Sequence, residues 1–150
     1  AACLIFTKDA GMHIELQRGA TGDGFAPMAQ TLTVRGNTVM VDGTAAEGGD
    51  DTGPNPHDLY DAALGACKAL TVLWYARRKG IPVGEVQTVV ERDDSGERSG
   101  VYRLSARLKI GGDLSDAQLS ELETVAGKCP VHKLMTAVTT EVTTSVERMD

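Results

Sequence analysis

The sequence predicts an α+β fold with an antiparallel sheet, and three observations support this prediction. The elements follow in the order strands, helix, strands, helices, strand. A helical pattern over residues 56–79 is long and apolar nearly all round. Residues 101–110 alternate between apolar and mostly polar positions, which is typical of a sheet with one face in water.

The size and charge of the chain limit its class. Its 150 residues fit one domain, residues 1–150, with a hydrophobic core of its own. The net charge is −6 and no face is obviously basic, which argues against nucleic acid and against anionic membrane surfaces as partners. No apolar run approaches the roughly 18 residues that span a bilayer.

Terminal sequence and cysteine content indicate the compartment. Residues 1–13 carry a short apolar patch without a basic region before it, so we do not interpret them as a signal peptide. Three cysteines, an odd number, do not suggest a secreted disulfide framework. We therefore expect a cytoplasmic protein in which any disulfide is transient and catalytic. Cys3 has no partner that the pattern identifies.

The first thirty residues carry no readable pattern, and the first clear elements are two strands. Residues 31–35 (TLTVR) and 38–42 (TVMVD) flank Gly36 and Asn37. Because glycine stands at the first central position, we expect a two-residue hairpin with a type II′ turn. A loop rich in glycine, aspartate and proline follows.

The long helix is expected to begin at Pro56, capped by Asn55, and to stop at Gly80. Between residues 61 and 76 only Asp61 and Lys68 are charged, and they lie on one narrow stripe. A helix that is apolar nearly all round must be covered nearly all round. We therefore expect a homodimer with this helix near the interface; the alternative is a monomer in which the later helices supply the cover.

Four elements are expected after the long helix. Strands over 85–92 and 101–110 come first, and a helix follows that begins with a capping box of Ser115 and Gln118. Cys129 and Pro130 open a short third helix, and a strand over 140–148 closes the chain.

Two cysteines are the candidates for chemistry. Cys67 lies mid-helix in apolar surroundings, where a cysteine usually packs as a small hydrophobe and its thiol pKa rises. Cys129 precedes a helical proline, where free N–H groups favour a thiolate, and His132 one turn later could assist. If the two thiols meet in space, a sulfenic acid on one can condense with the other. Spacing alone does not decide between packing and reactivity.

Three other interpretations use the same residues. Cys129 and His132 with Cys67 and His57 would form a zinc ligand set, although such sites more often show two tight ligand pairs. A cysteine hydrolase built on Cys129 and His132 would have poor nucleophile–base geometry. A non-enzymatic dimer would bind small apolar molecules in a pocket lined by Leu64, Leu70 and Trp74.

Three segments resemble the OsmC/Ohr family: GPNPHDLYDAALGAC (53–67), the following LTVLWYARRKGIPV, and KCPVHKLM (128–135). The resemblance covers roughly residues 48–148 and leaves residues 1–30 poorly matched. It implies an OsmC-like fold, with antiparallel sheets wrapped around a long central helix in an intertwined homodimer. It also implies reduction of organic hydroperoxides without metal or organic cofactor, at sites in the dimer interface.

The resemblance assigns roles to individual residues. It makes Cys67 the peroxidatic thiol and Cys129 the resolving thiol, with an external dithiol, lipoyl-type in the best-known branch, as reductant. Well-known members place a Glu near the start of the helix, where this chain has His57 and Asp58, so Asp58 is the expected supporting residue and His57 the alternative. The Arg that such members place near the thiol has no counterpart in residues 43–54; Arg18 and Arg35 are the upstream candidates.

Overall fold

The computed structural model describes residues 13–22 and 24–150, so the cysteine at position 3 lies outside the described residues. The chain divides into two compact units, one ending at Leu59 and the other spanning Tyr60–Asp150. The strands are β1 (Glu15–Gln17), β2 (Ala20–Thr21), β3 (Gly24–Phe25), β4 (Gln30–Val34), β5 (Asn37–Val41), β6 (Val83–Asp93) and β7 (Arg103–Gly112). The helices are α1 (Pro56–Lys79), α2 (Asp116–Ala126) and α3 (Pro130–Thr136).

The first unit contains an antiparallel sheet in the order β1-β4-β5 and a separate pair, β2-β3. Val34 pairs with Asn37, so the turn between β4 and β5 consists of Arg35 and Gly36. Both turn residues have positive φ, 48° and 78°, which defines a type I′ turn. The predicted Gly36-Asn37 turn of type II′ was therefore wrong by one residue. The side chain of Asn37 donates to the Val34 carbonyl (3.1 Å) and holds this register.

The loop after β5 is organised by the buried carboxylate of Asp42. It accepts hydrogen bonds from the hydroxyl (2.6 Å) and backbone N–H (3.1 Å) of Thr52, and from the N–H of Gly43 (2.8 Å). The Thr52 hydroxyl is the main cause that lowers the Asp42 pKa below its usual value. These bonds tie both ends of the loop to one side chain.

Helix α1 begins and ends where the sequence predicts. At its start, the Asn55 side chain accepts from the Asp58 N–H (2.9 Å), and the Asp58 carboxylate accepts from the Asn55 N–H (3.0 Å). This reciprocal pair satisfies two N–H groups at the start of the helix. At its end, Gly80 adopts a φ of 70°, which terminates the helix.

The second unit packs an antiparallel hairpin of β6 and β7 with the helices. The predicted alternation along β7 is confirmed, since every second residue from Leu104 to Ile110 is partly buried. The predicted capping box of Ser115 and Gln118 at the start of α2 is also present. The core of this unit consists of Val72, Ala76, Ile81 and Leu122.

The strand predicted over 140–148 is absent, because residues 137–150 form no helix or strand. The side chains of Val142 and Val146 are 79% and 94% exposed. A strand is stable only when a neighbour satisfies its backbone groups, and this chain places no strand beside the segment.

Helix α1 buries the two charges in its middle and exposes several apolar side chains. Asp61 and Lys68 face the interior of the second unit and are each 7% exposed. Leu70, Leu73 and Trp74, in contrast, are 66%, 41% and 50% exposed. The single chain therefore covers the side of this helix that carries Asp61, Lys68 and the core residue Val72, and it leaves an apolar surface open on the other side. Among the described residues, no helix has both the length and the hydropathy to cross a bilayer.

The core of the second unit allows a direct test. Leu122 is fully buried between α1 and the hairpin, so Leu122→Ala should lower the free energy of unfolding by about 2–5 kcal/mol. Leu119→Ala, on the exposed side of the same helix, is the matched control and should cost less than about 1 kcal/mol. Urea unfolding followed by circular dichroism measures both values. Equal losses of unfolding free energy in the two variants would contradict the placement of Leu122 in the core.

Candidate functional site

Two cysteines that are distant in sequence lie together in the second unit. Cys67 lies in the middle of α1, and Cys129 is the residue that caps the start of α3. Both are free thiols, and the Cys67 thiol is near enough to Cys129 to raise its pKa. The fold thus brings the two cysteines near each other, which disulfide chemistry between them requires.

The first turn of α3 holds both sulfur atoms. The backbone N–H of His132 donates to Cys129 Sγ (3.3 Å), and the N–H of Val131 donates to Cys67 Sγ (3.5 Å). Pro130 at the first helical position sets this geometry, since its fixed φ suits a helix start and it carries no N–H. Neighbouring amides of one turn therefore face two thiols from different elements.

Burial distinguishes the two thiols. Cys129 is fully buried, whereas Cys67 is partly exposed. Burial is the main cause that raises the Cys129 pKa above that of a free thiol, and the Cys67 thiol raises it further. The His132 N–H and the charge of Lys68 act in the opposite direction. Cys67 is thus the sulfur that an external molecule can reach, and Cys129 is the sheltered one.

The site contains a buried lysine that the sequence analysis did not place there. Lys68 Nζ donates to the Ala126 carbonyl at the end of α2 (3.0 Å) and lies 3.0 Å from His132 Nδ1. An ammonium group can only donate, so His132 accepts at Nδ1 and is the neutral tautomer with its proton on Nε2. The sequence analysis placed Lys68 on a narrow charged stripe of α1 without a partner, and in the structure its charge lowers the pKa of Cys129.

A second polar cluster connects α1 to the hairpin. The Asp61 carboxylate pairs with Arg92 Nε (2.5 Å) and accepts from the Tyr102 hydroxyl (2.6 Å). Burial, together with the bond to Asp61, raises the pKa of Tyr102 to about 12. Tyr102 therefore stays protonated at neutral pH and donates to the carboxylate. Sequence periodicity identified Asp61 as a charge on an apolar helix, but not its partners.

The remaining predicted site residues lie in the first unit. Asp58 forms the reciprocal pair with Asn55 at the start of α1. Arg18 Nε donates to the Ala26 carbonyl (2.5 Å), and its guanidinium lies 5.3 Å from the centre of the Phe25 ring. Arg35 occupies the turn between β4 and β5.

The geometry also bears on the other interpretations. In residues 13–22 and 24–150, no three His, Cys, Asp or Glu side chains are grouped to hold a metal ion, so the proposed zinc ligands are not assembled. A cysteine hydrolase needs the histidine imidazole beside the thiol. Here His132 contacts Cys129 through its backbone N–H, and its imidazole Nδ1 faces Lys68. Leu70 and Trp74 line one groove, whereas Leu64 lines a different cavity.

That second cavity has a volume of about 660 Å³ and lies beside α3. Its walls are mostly aromatic and aliphatic, and His132 also lines it. The walls include Tyr60, Leu64, Tyr102, Leu104 and Met135. Arg103 and Thr136 add polar groups to the wall, and neither cysteine lines the cavity. A cavity of this size and mixed lining accommodates a small organic molecule.

Comparison with known proteins identifies the family. The family described as OsmC-like protein matches residues 48–145. Among solved structures, an OsmC-like protein from Mycoplasma pneumoniae superposes with a TM-score of 0.64 at 18% identity, covering 87% of this chain and 90% of that one. No curated protein sequence matches the chain significantly.

Two further structures have the same fold. An organic hydroperoxide resistance protein OsmC from Legionella pneumophila superposes with a TM-score of 0.60 at 18% identity, covering 87% of this chain and 93% of that one. The organic hydroperoxide resistance protein OhrB of Bacillus subtilis gives 0.55 at 22% identity, covering 84% and 90%. The α+β architecture, with antiparallel sheets and one long helix, is common to all of them. Because the family match spans well over half of its length and includes both neighbouring cysteines, the chain belongs to the OsmC-like protein family.

Proposed function

We propose that this protein is a thiol peroxidase that reduces organic hydroperoxides through Cys67 and Cys129. The observation that carries the proposal is the contact of two free thiols at the first turn of α3, one partly exposed and one buried. The names of the Legionella and Bacillus neighbours, both organic hydroperoxide resistance proteins, support the same substrate class.

The reaction uses only sulfur chemistry. The Cys67 thiolate attacks the terminal oxygen of a hydroperoxide ROOH, the O–O bond breaks, and the alkoxide leaves as the alcohol after protonation. Cys67 is thereby oxidised to a sulfenic acid. The Cys129 sulfur then attacks the Cys67 sulfur, water leaves, and a Cys67–Cys129 disulfide forms. An external dithiol, of lipoyl type in our proposal, reduces the disulfide and restores both thiols.

The difference in exposure between the two cysteines supports the roles that we propose for them. A peroxide must reach the attacking sulfur, and Cys67 is the partly exposed one. The raised pKa of Cys129 disfavours its thiolate at neutral pH, so Cys129 is poorly suited to make the first attack on a peroxide. Asp58 enters the proposal as a supporting residue that stabilises the first turn of the helix carrying Cys67.

The working unit in this proposal is a homodimer. Leu70, Leu73 and Trp74 expose apolar surface on the long helix of the single chain. Such a surface on one side of a central helix is typical of a contact between subunits. The unpaired segment 140–148 offers a second region for contact with another copy.

Cysteine variants test the chemistry. Cys67→Ser should abolish consumption of cumene hydroperoxide, because the attacking sulfur is lost. Cys129→Ser should leave a sulfenic acid on Cys67, because no second thiol can condense with it. Intact-mass analysis after one equivalent of cumene hydroperoxide, with peptide mapping, measures both outcomes. Equal activity in the two variants would refute the roles, and no reaction in the unmutated chain would favour an apolar-ligand-binding dimer.

Substrate preference provides a second test. The cavity of about 660 Å³ beside α3 is lined mainly by apolar groups, which favours an alkyl or aryl substituent on the peroxide. We expect kcat/KM to be roughly tenfold or more higher for cumene hydroperoxide than for hydrogen peroxide. Steady-state kinetics with one dithiol reductant at fixed pH compares the two substrates. A higher kcat/KM for hydrogen peroxide would contradict the proposal.

The dimer is tested separately from the chemistry. Leu70→Glu places a charge in the exposed apolar surface of α1 and should shift the protein toward monomer. Ser120→Glu introduces the same charge on the exposed side of α2 and should leave the assembly unchanged. Sedimentation velocity of the unmutated chain and both variants measures the distribution. A monomeric unmutated chain would overturn this part of the proposal.

A further inference from the structure

Lys68 is a buried cation whose two hydrogen-bonding partners are a backbone carbonyl and an imidazole nitrogen. Its Nζ is held by the Ala126 carbonyl and the His132 imidazole. Within residues 13–22 and 24–150, the structure gives this ammonium no carboxylate partner. Asp61 lies about two turns earlier on the same side of α1 and is paired with Arg92 and Tyr102 instead.

An unpaired charge in a protein interior is unfavourable unless an anion arrives to balance it. Cys129, which caps α3, accepts from the His132 N–H (3.3 Å), and the imidazole of the same His132 lies 3.0 Å from Lys68 Nζ. At this separation the lysine charge lowers the pKa of Cys129 and favours its thiolate form. From β7 and α2, Arg107 and Glu123 line the open cavity that borders Lys68. Of these groups, Cys129 is the one that changes from neutral to anionic during the proposed reaction.

We propose that Lys68 is the counter-cation of the Cys129 thiolate and acts when Cys129 leaves the disulfide. This inference rests on the proposed function, since it concerns the reductive half of the same cycle. Lys68 acts through Cys129, as a positioning residue that stabilises charge on its sulfur. His132 holds the ammonium in place without neutralising it, because a neutral imidazole accepts at Nδ1 and adds no negative charge.

The step it assists is an ordinary thiol–disulfide exchange. A thiolate of the external dithiol attacks the Cys67 sulfur, which is the partly exposed one, and forms a mixed disulfide with it. The Cys67–Cys129 bond breaks, and its electron pair goes to the Cys129 sulfur. The second thiol of the reductant then displaces Cys67, and its proton converts the Cys129 thiolate to a thiol. The dithiol is oxidised by two electrons, and the two cysteines are reduced.

The direction of the effect follows from leaving-group chemistry. A thiol of lower pKa leaves a disulfide faster, because its thiolate is more stable. The positive charge of Lys68 lowers the Cys129 pKa and partly opposes the increase caused by burial. Removal of the charge should therefore slow reduction of the disulfide by roughly threefold to tenfold.

The experiment measures the thiolate directly. In a background that carries both Cys3→Ser and Cys67→Ser, Cys129 is the one remaining cysteine, and absorbance at 240 nm against pH follows its ionisation. Lys68→Met and Lys68→Gln should shift its midpoint to higher pH, and Lys68→Arg should restore it toward the parent value, because the charge returns. Lys79→Met is the matched control, since it removes an exposed lysine from the same helix and should leave the midpoint unchanged. Lys68→Gln keeps a donor for the Ala126 carbonyl, so it replaces Lys68→Met in the titration if the methionine variant does not fold.

A second measurement follows reduction. The disulfide is prepared with diamide in otherwise unmutated and Lys68→Gln proteins, and its reduction by excess dithiothreitol is timed. Slower reduction in the variant supports the proposal. The proposal is overturned if folded Lys68 variants leave the ionisation midpoint of Cys129 unchanged. It is also overturned if Lys79→Met shifts this midpoint by the same amount. Neither measurement needs a peroxide. If the peroxidase proposal fails, cumene hydroperoxide forms no disulfide, and this outcome is distinguishable from failure of the lysine proposal.

Discussion

The placement of the first turn of α3 against the middle of α1 is the constraint on which the candidate site depends. One backbone N–H of this turn faces Cys67, the next faces Cys129, and the Lys68 amine ties α1 to the end of α2 and to His132. These contacts join three helices within a few ångströms. Without them, Cys67 would be a small apolar residue in a helix, and Cys129 an ordinary helix cap.

Local signals in the sequence predicted the features that depend on a few neighbouring residues. The bounds of α1 follow from Pro56 and Gly80, and the start of α2 follows from the capping box of Ser115 and Gln118. The same reasoning misplaced the turn before Asn37 by one residue, because a turn type depends on which residues pair across the hairpin. Both Gly-Asn and Arg-Gly are acceptable turn residues, so local chemistry alone does not choose the register.

Features that depend on distant partners could not be predicted in the same way. Alternation over 140–148 is a strand pattern, but a strand needs a neighbour, and the single chain supplies none. Helical periodicity placed Lys68 on one stripe with Asp61 but did not indicate its neighbours, because these belong to the end of α2 and to the first turn of α3. The proximity of Cys67 and Cys129 was a hypothesis from chemistry and from family resemblance, and the structure was required to show it.

The two buried charges on α1 differ in whether an opposite charge balances them. The Asp61 carboxylate is balanced by the charge of Arg92 and accepts a hydrogen bond from the Tyr102 hydroxyl, so it stabilises the packing of α1 against the hairpin. Lys68 is held by a carbonyl and an imidazole that together carry no negative charge. A buried ammonium in that environment is most stable when an anion forms beside it, and the neighbouring sulfur can become that anion. The cost of leaving Lys68 without a carboxylate is therefore offset only in those states of the protein in which Cys129 is ionised.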